Sequence, residues 1–171
     1  ADIVDAGGKA RFCSGDVSRD ADVKRLMDFA IAVYGGIDIV VNNAGTTHFV
    51  NHANLKGLTA DDFHRIYGVN VIGPYQMTRA VAAQMKKQGQ GAVTNVSSVA
   101  GVMGVGSSIA YTASKGALNT MTLSLARALG PEIRVNTICP GFIQGRWLRG
   151  GMGDDAYEAA KAAQERNAPR R

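Results

Sequence analysis

Tyr111-Thr112-Ala113-Ser114-Lys115 sets a phenol and an ammonium four residues apart. On a helix that spacing puts both on one face, with Cβ atoms about 5–6 Å apart. An ammonium so close favours phenolate over phenol and lowers the tyrosine pKa from about 10 toward neutrality, so the pair could donate or accept a proton. The same pair also suits an exposed aromatic beside a lysine whose stem lies along the surface. Other carriers of chemistry are sparse. His48 and His52 share i,i+4 spacing, but Phe-Val-Asn lies between them instead of a zinc-protease glutamate, so loop histidines near a pocket are expected and a metal site is not. Cys13 and Cys139 have none of the short spacings of metal or redox sites; each lies in an apolar run and reads as a reduced core thiol.

The elements that must position these residues alternate. Ala10–Cys13 reads as a short strand, and Asp20 caps a helix whose apolar positions Val23, Leu26, Met27, Ala30 and Ile31 recur at helical spacing until Gly35-Gly36. Residues 37–41, Ile-Asp-Ile-Val-Val, read as a strand buried on both faces. Thr59 and Asp62 form a capping-box variant opening a helix through Tyr67. Helical patterns over 69–85 and 111–129 alternate with strands over 92–96 and 134–138. Pro74 has no N–H for the Asn70 carbonyl, which predicts a bend there with that carbonyl free, unless the proline merely starts a helix after a break at Gly68. The expected fold is α/β, a Rossmann-like doubly wound parallel sheet covered by helices on both faces.

Ligands of such sheets bind beyond the carboxyl ends of the strands. Here those ends carry Gly15-Asp16-Val17, Asn42-Asn43-Ala44-Gly45, Ser97-Ser98 and Pro140-Gly141. Taken with Asn70, with Ser98 thirteen residues before Tyr111, and with Tyr-x-x-x-Lys, they closely resemble the short-chain dehydrogenase/reductase family, along essentially the whole chain. The match is to its classical type, which includes 3-oxoacyl-carrier-protein reductases.

The resemblance implies an oxidoreductase that moves a hydride between NAD or NADP and a small-molecule carbonyl/alcohol substrate. Tyr111 would be the general acid/base and Ser98 a hydrogen-bond donor to the reacting oxygen. Lys115 would depress the Tyr111 pKa and hold the ribose, and Asn70 would anchor a relay water. Asp16 and Val17 would meet the adenine. Asn43, Ala44 and Gly45 would pass beneath the adenosine ribose, and Pro140, Gly141 and Ile143 would flank the nicotinamide. Where the family usually has a threonine this chain has Gly145, leaving Gln144 or Arg146 to substitute. Residues 142–168 would form a substrate cover over a partial dinucleotide-binding domain spanning 1–171. Within that cover Trp147 is expected to pack, and Arg146 and Arg149 to face water or an acidic substrate. Dimers or tetramers would form through the helices at 69–85 and 111–129.

The resemblance also implies an internal fragment. The first two strands, the Gly-rich phosphate turn and the last strand are expected to be absent, with Ala168–Arg171 falling just before the family's final helix. Without the missing strands, the segment at 10–13 should stand away from the one at 37–41, or else slide in beside it to cover its open edge. The 171 residues alone are expected to be inactive, so a non-catalytic remnant or pseudoenzyme is the alternative reading.

Composition narrows the rest. Nineteen Lys+Arg against fourteen Asp+Glu give +5, the excess lying in the second half, with no basic run interleaved with aromatics; a nucleic-acid partner is not expected. No apolar run reaches the roughly 18 residues of a membrane span. Reduced thiols point to the cytoplasm.

Overall fold

The computed structural model describes residues 2–167. After a short helix α1 (Asp2–Asp5), the chain runs without regular structure to α2 (Asp20–Tyr34). Arg19, not Asp20, is the N-cap residue of α2; Asp20 and Asp22 lie in its first turn, where carboxylates suit the positive helix end. Gly35 ends it at φ 83°, a conformation that favours glycine.

Three parallel strands follow, β1 (Ile39–Asn42), β2 (Gly91–Val96) and β3 (Ile133–Ile138), in the order β1-β2-β3. Val40 pairs with Val93 and Val93 with Val135, so these three point to one face of the sheet. With Ile133 they pack against Met27 of α2 and against Val81 and Met85 of α4 (Gly73–Gln88). Leu125, Ala126 and Leu129 of α6 (Ile109–Leu129) complete this core.

The parallel α/β sheet is as the sequence predicts, but among the described residues no helix covers its second face. Ile39 and Val41 are 66% and 59% exposed, and β1 alternates exposed with buried where burial on both faces was expected. The reason lies in the helices: α4 packs on all three strands and α6 on β3, on the face that α2 and the core share. The predicted strand at Ala10–Cys13 is likewise absent. Those residues are irregular, with Phe12 87% exposed, because an extended segment with no neighbour forms no ladder. It forms no ladder with β1. Cys13 and Cys139 are free and half-buried, not core residues; Cys13 accepts from Arg25 in the loop before α2.

The capping box at Thr59 and Asp62 is present and opens α3 (Ala60–Tyr67). The disturbance expected around Asn70 is present, and it takes the form of a π-turn instead of a bend at Asn70 or a break at Gly68. A single π-helical turn (Gly68–Ile72) joins α3 to α4, and Pro74 sits in the first turn of α4, where its missing N–H leaves the Asn70 carbonyl without its α-helical donor. This continuous rod fastens β1 at both ends. On entry, Ile37 N–H donates to Gln84 Oε1 and Gln88 Nε2 donates to the Ile37 carbonyl, each at 3.2 Å. On exit, Thr46 is held by Asn70 and Arg65.

Candidate active site

The carboxyl ends of the strands open into a cleft of about 1160 Å³. It is lined by Asn43 and Gly45 after β1, Ser98 after β2, Tyr111 and Lys115 of α6, and Pro140, Gly141 and Ile143 after β3. Asp16, Val17, Ala44 and Asn70 lie outside that lining. Asp16 spends its carboxylate on Ser18, accepting from the backbone N–H at 2.9 Å and the hydroxyl at 2.7 Å; these bonds lower its pKa. Val17 packs against Gly73, where a Cβ would lie 2.8 Å from Val17 Cγ2.

Ser108 caps α6 by accepting from Tyr111 N–H, which fixes where the tyrosine enters the helix. Lys115 is only 4% exposed; its ammonium donates to the Val96 carbonyl at 2.8 Å and lies 5.6 Å from the centre of the Tyr111 ring. Desolvation brings its pKa down to about 8. Contrary to the expectation from spacing, Tyr111 is pushed up: burial of the phenol outweighs the lowering by the neighbouring Ser98 hydroxyl. The lysine is beside the ring face, with one of its three N–H groups donating to the Val96 carbonyl. At neutral pH the pair is therefore a phenol beside an ammonium.

Asn70 is fully buried and works through its side chain. Its Oδ1 accepts from Thr46 N–H at 2.8 Å, while Nδ2 donates to the Thr46 carbonyl at 2.9 Å and to Ser114 Oγ at 3.0 Å. Ser114 in turn donates to the Tyr111 carbonyl at 2.7 Å. One amide thus joins the loop after β1 to the helix that bears Tyr111 and Lys115. Ser114 stood inside the Tyr-x-x-x-Lys motif but carried no signal of this contact. A methyl on Gly45 would lie 3.6 Å from Asn70 Oδ1 and 3.7 Å from Lys115 Nζ, so glycine keeps space open beside the ammonium.

Ser98 is held from the other side. Its Oγ accepts from Ala100 N–H at 3.1 Å, at the head of α5 (Ala100–Met103). A Cβ on Gly101 would lie 2.5 Å from the Lys115 carbonyl carbon and 2.6 Å from Gly116 N, so α5 rests directly on the backbone of α6. That contact sets the spacing between Ser98 and the Tyr111–Lys115 pair.

Two helices, α7 (Arg146–Met152) and α8 (Asp154–Asn167), follow the Pro140-Gly141 turn, and the Ala168 end of the expected cover lies outside the described residues. Gly145 precedes α7 in extended backbone, and a Cβ added to it would meet nothing within 4 Å. Gln144 and Arg146 both line the cleft. Arg149 faces neither substrate nor bulk water alone: it pairs with Asp154 at 2.8 Å and with Glu158. Trp147 does not pack into a core either; it is 52% exposed and lines the cleft. His48 pairs with Asp62 at 3.0 Å, outside the cleft lining.

The family model for short chain dehydrogenases matches residues 1–155. A Streptomyces violaceoruber protein described as a candidate ketoacyl reductase of granaticin polyketide synthase is 44% identical over 140 residues, covering 82% of this chain and 56% of its own length. NAD+-bound xylitol dehydrogenase superposes with a TM-score of 0.78 at 34% identity, over 84% of this chain and 55% of its own. Gluconate 5-dehydrogenase from Burkholderia cenocepacia, solved with NADP and tartrate, gives 0.83 at 29% identity, over 95% and 63%. The chain spans little more than half the length of the curated relative it matches.

Proposed function

The chain belongs to the short-chain dehydrogenase family, and on that premise we propose that its cleft carries out the proton transfer of an NAD- or NADP-dependent oxidoreduction between a carbonyl and an alcohol, with Tyr111 as the general acid/base. The observation that supports this most is the meeting of Ser98, Tyr111 and Lys115 in one cleft with the strand ends at Asn43-Ala44-Gly45 and Pro140-Gly141.

In the reducing direction, the phenol of Tyr111 gives its proton to the carbonyl oxygen as that oxygen gains negative charge. Its raised pKa keeps it protonated and ready at neutral pH. Ser98 donates a hydrogen bond to the same oxygen, stabilising charge where it develops. Lys115, still mostly an ammonium below pH about 8, stabilises the phenolate that remains. In oxidation the same proton returns from the alcohol to Tyr111. Asn70 holds the loop after β1 and the Tyr111 helix in register through its side-chain amide, and its backbone carbonyl would accept from a relay water.

The donor set fits a nicotinamide nucleoside: Lys115 Nζ lies beside the gap that Gly45 leaves, and Gly141 has open space around it. Lys115 and Tyr111 would hold the ribose hydroxyls, Pro140, Gly141 and Ile143 the nicotinamide, and Asn43, Ala44 and Gly45 the adenosine ribose. Asp16 and Val17 would take the adenine once Asp16 releases Ser18. When bound, the cofactor supplies or accepts the hydride. Residues 142–168 act as the substrate cover. The partners are a small-molecule substrate and a second copy of the chain, meeting through α4 and α6, where Tyr75 and Leu123 are exposed. The setting is cytoplasmic, and no helix among the described residues is long and apolar enough to cross a membrane.

Titration of the chain with NADH and NADPH, read by nicotinamide fluorescence, tests cofactor binding. Saturable binding is expected, and a flat titration would favour the non-catalytic alternative. In the full-length enzyme, Tyr111→Phe should keep cofactor binding while turnover falls about 10²–10⁴-fold; retained turnover would assign the proton to another group.

A further inference from the structure

The cover helix α7 meets the loop after β1 through aromatic rings. Phe49 and Trp147 lie 5.7 Å apart between centroids at 60°, and Trp147 and Tyr111 lie 6.3 Å apart at 49°. Both separations fall in the range of favourable tilted aromatic contacts. Gly151, one turn beyond Trp147, makes the approach possible: a Cβ there would lie 2.0 Å from Phe49 Cε2. Phe49 itself is anchored from behind. Val50 N–H donates to the Ser107 carbonyl at 2.8 Å, and Thr47 Oγ1 shares a 2.7 Å hydrogen bond with Ser107 Oγ.

The wall these rings make runs directly from the Tyr111 phenol. Its neighbour in the cleft continues the character, with Val105 56% exposed. Among the described residues, neither an aspartate nor a glutamate lines the cleft. A polyhydroxylated substrate needs acceptors and donors arrayed about its hydroxyls, since each one left unpaired on burial costs binding energy. A ring of hydrocarbon needs apolar area and an aromatic face, which is what stands beside Tyr111.

Resting on the oxidoreductase reading above, we propose that Phe49 and Trp147 determine specificity, selecting ketones and secondary alcohols whose carbonyl carbon belongs to, or adjoins, a bulky alicyclic or aromatic ring and discriminating against polyhydroxylated ones. The ring of the substrate lies on Trp147 and Phe49 while its oxygen faces Ser98 and Tyr111.

Trp147 is the single tryptophan of the chain, so its emission reports ligand on the wall without any turnover. The chain is titrated with 4-tert-butylcyclohexanone and, separately, with 1,3-dihydroxyacetone, following tryptophan fluorescence. A saturable change with the cyclic ketone, absent with dihydroxyacetone over the same concentrations, is expected. Phe49→Ala, checked by circular dichroism for native helix content, should weaken the ketone response about tenfold. Equal responses to the two ketones in the unaltered chain would overturn the proposal, as would an unchanged titration in a folded Phe49→Ala chain. Following NADPH or NADH absorbance in the same samples separates the two readings: nicotinamide oxidation with the cyclic ketone supports both, whereas ketone binding without it is the behaviour of the non-catalytic alternative and leaves the ring-binding wall in place.

Discussion

Lys115 carries its ammonium into a site where the Val96 carbonyl accepts one hydrogen bond from it and desolvation brings its pKa down to about 8. The folded chain therefore binds this proton less tightly than the unfolded chain does. A protonated Lys115 opposes folding at neutral pH, and the opposition fades as pH rises from about 8 toward the ordinary lysine value of 10.5. The unaltered chain should gain stability relative to Lys115→Met across that window, of order 3 kcal/mol. Urea denaturation of both proteins at about pH 7 and pH 10 checks it; a constant difference would show that the lysine is not desolvated in solution. The catalytic consequence has the opposite sense, since reduction should slow above pH about 8 as the ammonium that supports the phenolate is lost. Spacing alone made the Tyr111–Lys115 face legible, because i,i+4 geometry is a property of any helix. It misjudged the sign of the Tyr111 shift. Desolvation depends on what covers the ring, and one such cover is Trp147, which comes from a distant helix. The Asn70–Ser114 bond was hidden for the same reason: nothing local in either segment marks a contact between them.

At the scale of elements, α5 and α6 touch backbone to backbone at Gly101 and Gly116. Gly101→Ala forces a methyl into the Lys115 carbonyl, and overpacking of this kind costs about 1–3 kcal/mol. The methyl should also displace Ser98 from Tyr111, so turnover should fall more than cofactor affinity. Thermal melts, steady-state rates and the fluorescence titration together read both effects. Loss of melting temperature with unchanged turnover would mean that the contact serves stability alone. The helices were legible because their signals are local: the capping box at Thr59 and Asp62 and the glycine after α2 act within a single turn. Strands depend on neighbours. Ala10–Cys13 has a composition compatible with a strand but nothing to pair with, and the run at 37–41 looked doubly buried when only one side of β1 has helices to meet. The π-turn was legible only as a disturbance, since Pro74 announces a lost bond without saying how the helix absorbs it.

For the molecule as a whole, the open sheet face is the largest departure from a sheet covered on both sides. Ile39, Val41 and Ile138, each at least half exposed, lie on that face, and contiguous apolar surface favours association. Ile39→Lys should change the unfolding free energy by less than about 0.5 kcal/mol, while reducing concentration-dependent self-association in sedimentation velocity. An unaltered sedimentation profile would place any contact elsewhere, for instance on Tyr75 and Leu123 of α4 and α6. The rod from α3 through the π-turn into α4 bears on the same face of the problem. Gln84 and Gln88 grip the chain before β1, and Asn70 and Arg65 grip it after. A strand with a single ladder neighbour would ordinarily fray from its tips, yet this one is splinted along its length by one stiff member. Peeling it away means dislodging that splint entire, so the amides of β1 and those of the rod should exchange with solvent in step, as one cooperative unit.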